Sequence, residues 1–550
     1  MRRTLFLVMA LLVPAAAPGG RDAEPLRTEP DRWPRKSGFH KFRAITQPPG
    51  VGTLPGERCE IGAATQPALY QGNMRLDCDG ETPHNETTIA TDPLDPDHAV
   101  AGYHSYQINF MGSAVVAHVV GASSVTFDGG ATWREIIPPI RPYQFTGDPA
   151  LAFDSRGRVY FANIADHEGP GGNFTGPSVV VARSDDGGLS WSPPVTVARG
   201  FTAITKGKRY GPNVFNDKEF IAADTGIGSP YRDRVYVTWT RFADVFTPRR
   251  ATFNAPIMLS SSDDGVSWTV PHSISGFSPT LCIAPFFGAP GQCDVNQESY
   301  PAVGPGGKVY VSFANFNTIA QSQILVVASG NGGATWTPPS RVDFIESYNL
   351  PVSPEFEPVL TGCRFRLSFK GNTAADPSDP TGRTVYVTWA DNRNGGWDPV
   401  RGNFVTEMEV FLGRSTDGGQ SWSIVPVDPA PNDQFFPWVS VAGNGRVDVG
   451  YMDRSYSAGQ DECRYGYSLT RLTFDGSGGV ASRAKSRLDS ALSDPGHSFW
   501  FGLNSLFIGD YTGIATDPLG RTWAAWTDHR APVSDTDPRR GQHAVAGLAP

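Results

Sequence analysis

Past its opening residues, the 550-residue chain has no apolar run long enough to cross a bilayer, so no membrane span is expected. It also lacks a basic excess: 46 Lys and Arg stand against 55 Asp and Glu, and the net charge of −9 excludes the positive surface that a nucleic-acid partner requires. Cysteine is scarce, with six residues, no two at C-x-x-C spacing and no His-rich pattern beside them, which excludes the usual zinc modules. Hydrophobic residues make up only 39%, while 61 Gly and 47 Pro favour short strands and many turns. The apolar stretch that does exist is at the start. Arg2-Arg3, then Leu5 to Val13, then Ala15-Ala16-Ala17 read as a cleaved secretory signal over residues 1–20. No Cys follows it closely, so a lipid anchor is not expected, and the destination is secreted or periplasmic.

What the chain does have is repetition. The pattern Ser/Thr-x-Asp-x-Gly-x-Ser/Thr-Trp occurs at Thr126 to Trp133, Ser184 to Trp191, Ser261 to Trp268, Ser329 to Trp336 and Ser415 to Trp422, with Asn331 replacing Asp in the fourth copy. Apolar runs such as Val179-Val180-Val181 and Ile324 to Val327 precede the copies, so each copy reads as a hairpin turn. The carboxylate accepts backbone N–H groups, the Gly supplies a positive φ and the Trp covers the turn.

A second series counts the units: Ala99 to Tyr103, Val159 to Asn163, Val235 to Trp239, Val309 to Phe313, Val385 to Trp389, Val447 to Tyr451 and Trp523 to Trp526. Each unit reads strand, turn, strand, variable loop, strand, Asp turn, strand. The fold class is therefore all-β, a propeller of four-stranded blades over residues 81–550, with seven blades counted. The sixth unit has a degraded turn near Phe474-Asp475-Gly476, and the seventh ends at Ala544-Val545-Ala546 without an outer strand. Residues 21–80 are read as a leader, loose from Arg21 to Gly56, followed by a segment that supplies the missing strand before Glu81.

Export makes disulfides the expected state of the six cysteines. Cys59 and Cys78 flank the segment before the first blade, Cys282 and Cys293 bracket one loop, and Cys363 and Cys463 remain as a clasp between blades five and six, although spacing alone does not fix this connectivity.

Functional residues are expected on the rim where innermost strands begin and second strands end. One set opens the innermost strands: Asn85-Glu86, Asp148, Asn216 to Glu219, Asn296 to Tyr300, Asn432-Asp433-Gln434 and Gly509-Asp510-Tyr511. Carboxylates converging on an axis bind a cation or a substrate, or else cap strands. Calcium suits such oxygen ligands, although no loop has the spacing of a known calcium motif, and no cofactor is required. The other set follows the second strands and carries Arg241, Arg393, Arg454 and Arg530. Their guanidinium forks either hold an acidic sugar or pair with Asp391, Asp453 and Asp528 to brace the loops.

The repeated turn resembles the Asp-box, or BNR repeat, of the sialidase superfamily. That resemblance implies a six-bladed propeller as the alternative to seven, and a site in which arginines bind the substrate carboxylate, a Tyr activated by a Glu is the nucleophile and an Asp is the acid/base. Carried onto this chain, it implies Arg241, Arg393, Arg454 and Arg530 as carboxylate ligands, Tyr511 as nucleophile, Glu219 or Glu298 as its base and Asp148 as the acid. The Arg-Ile-Pro signature of the family is represented only by Phe42-Arg43-Ala44-Ile45, upstream of the first blade. The leading expectation is an exo-sialidase-like glycosidase acting on a glycan. Two others stand beside it: a non-catalytic glycan- or protein-binding propeller, and a polysaccharide lyase on uronate chains with Tyr511 or His529 taking the proton. Trp397, Tyr456 and Trp500 in long loops would stack on sugars in any of the three cases.

Overall fold

The computed structural model describes residues 55–550, apart from 79–81, 112–113, 170–172, 206–207, 248–249, 285–288, 348, 355–356, 460–461, 477, 498–506 and 535–536. The expected signal over 1–20, the leader as far as residue 54, the Phe42 to Ile45 stretch and Trp500 lie outside the described residues.

Seven antiparallel four-stranded blades make up the fold, so the count is seven and not six. The innermost strands are His84–Thr91, Phe145–Phe153, Lys208–Ala223, Asn296–Gly304, Lys370–Ala375, Gln434–Val441 and Gly513–Thr516. Each pairs with the strand that follows it, for example Val159–Asp166, Val385–Asp391 and Thr522–Asp528. These second strands are buried along their whole length, because blades stack face to face, and that explains their nearly continuous apolar spelling.

Blade seven takes its outer strand from far upstream: Met74 pairs with Ala546 and Arg75 with Val545. The preceding strand Gly56–Gly62 lies along the outer edge of blade one, where Ile61 pairs with Trp133. The N-terminal segment therefore touches both sides of the seam. All three disulfides have the expected pairing: Cys59–Cys78, Cys282–Cys293 and Cys363–Cys463.

The repeated turns close by one hydrogen-bond pattern. In blade five, Ser415 Oγ donates to Asp417 Oδ1 at 2.8 Å, the Gly419 N–H donates to Ser415 Oγ at 2.9 Å, and Ser421 donates through its N–H at 3.0 Å and its hydroxyl at 2.6 Å to Asp417. Burial opposes the charge on Asp417, but the Ser421 bonds outweigh it and hold the carboxyl down at about 2. Asn331 reproduces the geometry without a charge: Thr335 N donates to its Oδ1 at 2.9 Å and its Nδ2 donates to Thr335 Oγ1 at 2.8 Å. The third copy departs from its spelling. Ser262 and Asp264, not Ser261 and Asp263, make the bonds, because this turn is one residue shorter and has a single left-handed glycine, Gly265. Asp263 instead pairs with Arg234 at 2.6 Å.

These turns also fasten neighbouring blades. A Cβ on Gly187 of blade two would lie 2.4 Å from the His98 ring of blade one, and one on Gly265 of blade three would lie 2.4 Å from the Tyr160 ring of blade two. Glycine is needed there for close approach as well as for its positive φ.

Cys363 and Cys463 are 100 residues apart and Cys282 and Cys293 only 11, so chain-entropy loss on cross-linking differs. Replacing the first pair by alanine should cost about 4–5 kcal/mol and replacing the second about 3 kcal/mol. Calorimetry should then give a lower unfolding midpoint for the Cys363/Cys463 variant, and the reverse order would contradict the clasp.

Candidate functional site

The axial site is built by one backbone device used repeatedly. Six innermost strands carry a bulge, at Asn85/Thr88, Gly147/Ala150, Asp217/Phe220, Gln297/Tyr300, Lys370/Thr373 and Phe435/Trp438. In five of them the first inserted residue is left-handed without being glycine: Glu86 (φ 52°), Asp148 (55°), Lys218 (53°), Glu298 (59°) and Phe436 (50°). The sixth uses Gly371, where a Cβ would lie 2.5 Å from the Pro437 carbonyl oxygen. The left-handed conformation costs about 1 kcal/mol or more per residue, and a bulge re-aims a side chain; in the five blades with a non-glycine residue there it turns that side chain towards the axis. Tyr511, two residues before the last innermost strand, completes the set.

The axial side chains form a charge network around Lys218, which is 2% exposed. Its Nζ lies 3.2 Å from Glu86 Oε1, 3.6 Å from Asp148 Oδ2 and 2.5 Å from Asp510 Oδ2. Arg366 grips Asp510 with both arms of its fork, Nε to Oδ1 at 2.7 Å and Nη2 to Oδ2. Burial disfavours the charge on Asp510, but Arg366 and Lys218 overcome it and hold the carboxyl far below the ordinary range.

Glu86 and Asp148 are pushed in opposite directions although both are fully buried. The Asp148 N–H donates to His104 Nε2 at 2.6 Å, so His104 bears its proton on Nδ1, facing Asn85 Oδ1 at 3.1 Å. His104 is therefore neutral, as its burial also favours. Burial and the neighbouring Asp148 push Glu86 up, while Lys218 outweighs burial and holds Asp148 at about 2. Glu86, His104 and Asp148 stand close enough to hold an ion, but Lys218 already supplies a positive charge there.

Glu298 is the axial carboxyl that stays half-buried. Burial pushes it up, opposed by a 2.8 Å hydrogen bond from Ser368 Oγ and by Lys218. Beside it, Lys370 donates to Ser312 Oγ at 2.6 Å and to the Gly371 carbonyl at 2.9 Å, and lies 4.3 Å from the Tyr300 ring centre. Burial drives this amine well below its ordinary pKa. Glu219 is pushed up by burial and by Asp148, and among the described residues neither of its oxygens is bonded to another residue. The Tyr511 hydroxyl donates to the Pro149 carbonyl at 3.1 Å, and burial together with Glu86, Asp148 and Glu219 pushes its pKa up.

Three of the four rim arginines are already engaged. Arg393 grips Asp391 at 2.8 and 2.6 Å while the Trp389 indole donates to the same carboxylate at 3.0 Å. Arg530 grips Asp528 at 2.9 and 2.8 Å, and the Trp526 indole donates to it at 3.2 Å. Trp-x-Asp-x-Arg is thus a loop brace used twice. Arg454 bonds Asp433 at 2.5 Å and the Thr361 and Glu462 carbonyls at 3.0 Å, because a 3₁₀ turn at Arg454–Tyr456 carries it away from Asp453. Asp453 pairs with Lys485 at 2.7 Å instead. Arg241 is half-buried and has no ion pair among the described residues. In blade six Phe436, not Asp433, is axial.

The structure thus gathers Glu86, Asp148, Lys218, Glu298, Asp510 and Tyr511 at the axis and leaves the arginines in their own blades. Sequence reasoning missed His104, Arg366 and Lys370. Arg366 lies in the long connection between Ser340–Ile345 and Lys370–Ala375, where no repeat marks it. Lys370 stands next to the blade-five bulge, and aligning the blades on their second strands would have flagged it.

The chain matches no protein-family model, and no curated protein matches it. Among solved structures it is similar to a protein of unknown function from Dyadobacter fermentans, with TM-score 0.40 and 12% identity over 90% of this chain and 99% of that one. It is also similar to the NanB sialidase of Streptococcus pneumoniae, with TM-score 0.39 and 10% identity over 91% and 98%. An ulvan lyase superposes with TM-score 0.38 and 12% identity over 73% and 80%. Superpositions this loose bear on the course of the chain and not on its chemistry.

Lys218→Met should leave Asp148 and Asp510 buried beside fewer cations and cost about 3–5 kcal/mol. The pH dependence should change with it. A carboxyl held at about 2 against an ordinary 3.8, as Asp148 is, stabilises the fold above pH 4 and loses that contribution as pH falls towards 2. Denaturant titrations between pH 5 and 2 should show this decline in the parent chain and a shallower one in the variant; parallel curves would contradict the role given to Lys218.

Proposed function

We propose that the protein is an exported glycan-active enzyme of the sialidase-like Asp-box propeller class, an exo-glycosidase removing terminal acidic sugars at the axial face. The observation that carries this reading is Glu298: a carboxyl with a raised pKa, only partly buried, on a strained bulge at the axis beside Lys218. A carboxyl that holds its proton more tightly than usual and is only partly buried suits protonation of a leaving-group oxygen. Asp148, ionised and fully buried, suits that task less, so the acid role passes to Glu298 and Asp148 becomes part of the charge balance around Lys218. Tyr511 remains the candidate nucleophile, with Glu219 in its electrostatic surroundings. Arg241, without an ion pair among the described residues, is the rim arginine proposed for the sugar carboxylate.

A binding propeller is the second reading, favoured by the engagement of Arg393, Arg454 and Arg530 with Asp391, Asp433 and Asp528.

The test is incubation of the purified chain with a sialylated glycoprotein and, separately, a uronate polysaccharide, measuring free acidic sugar and unsaturated product. Free sugar should appear, with the rate lowered about 100-fold or more in Glu298→Gln. Activity should fall at high pH as Glu298 loses its proton. Full activity in Glu298→Gln would remove the acid assignment; unsaturated product would make the enzyme a lyase; no product from either substrate would leave the binding reading.

A further inference from the structure

A second group of metal-ligating side chains lies away from the axis, at the seam where the ring closes. Asp77 follows the strand borrowed from the N-terminal segment, His84 opens the innermost strand of blade one and His543 opens the last strand of blade seven. All three are buried, with side chains no more than 1% exposed. Asp77 Oδ1 lies 3.0 Å from His543 Nδ1 and 3.8 Å from His84 Nδ1, and one ligand atom from each residue falls within 4.8 Å of the other two.

Their outer atoms are tied back, which points the inner ones at one another. Asp77 Oδ2 accepts the Ala544 N–H at 3.0 Å, leaving Oδ1 inward. His84 Nε2 faces Ser105 Oγ at 3.2 Å, so Nδ1 is its inward nitrogen. The neighbouring Cys78, disulfide-bonded to Cys59, fixes the segment that carries Asp77. Distances of 3.0 and 3.8 Å bracket the ligand-to-ligand separation set by metal–ligand bonds of about 2.0–2.2 Å.

We propose that Asp77, His84 and His543 form a binding site for a divalent transition metal of the zinc or cobalt type. Two imidazoles and one carboxylate suit such borderline ions, whereas calcium and magnesium prefer oxygen throughout. The ligands come from segments that meet only in the closed ring, so the metal is taken up as the ring closes and its binding holds blade seven to blade one.

The test is metal content. Full-length protein is produced in zinc-supplemented and in cobalt-supplemented medium, purified, and analysed by elemental mass spectrometry beside Asp77→Asn and His84→Gln. The parent chain should carry an equimolar amount of the supplied metal, and the variants less than about a tenth of it. A visible absorption band from cobalt, with a fall in thermal midpoint on chelation, should accompany it in the parent chain, so the parent alone decides if a variant fails to fold. A metal-free parent from both media, or variants retaining the parent's content, would overturn the site.

Discussion

The contacts of Lys218 hold the centre of the ring together. Strands that converge on an axis bring side chains from different blades into a space that water hardly enters, and this sequence puts Glu86, Asp148 and Asp510 there. An ionised carboxylate in such a place is too costly without a cation in contact. One ammonium group touching all three, with Arg366 closing on Asp510, makes the arrangement tolerable. Among the axial carboxyls Glu298 alone is only partly buried.

The same economy separates scaffold from site. The Ser/Thr-x-Asp turns and the two Trp-x-Asp-x-Arg braces consume their carboxylates internally, in hydrogen bonds and ion pairs that fasten loops and neighbouring blades. The bulges do the reverse. They place non-glycine residues in left-handed conformations and turn their side chains towards the axis, an arrangement that costs stability. Where strain is concentrated and titratable groups are perturbed is where chemistry is best sought.

Closure follows a separate logic. A ring built from one chain must join its last blade to its first, and here Met74–Arg75 lies along blade seven while Gly56–Gly62 lies along blade one. The Cys59–Cys78 disulfide and the Asp77 contacts with blade seven gather these crossings into one buried seam.

Repeats are periodic, so the sequence by itself determined what periodicity controls: the all-β class, seven blades and the turns, whereas the disulfide pairing it suggested was settled only by the structure. The sequence also placed Glu86, Asp148, Glu298, Asp510 and Tyr511 at the starts of innermost strands, because each follows from counting within a blade. Tertiary structure alone decided which of these share an environment and what charge each bears. Arg366 reaches Asp510 across 144 residues and Lys218 reaches it across 292, distances in the chain that no local spacing encodes. Nor could spelling say that Arg393 and Arg530 turn back on Asp391 and Asp528, since an arginine beside an aspartate reads alike whether it braces a loop or waits for a ligand. Side-chain direction and burial settle that difference, and both are set by the packing of blades against one another.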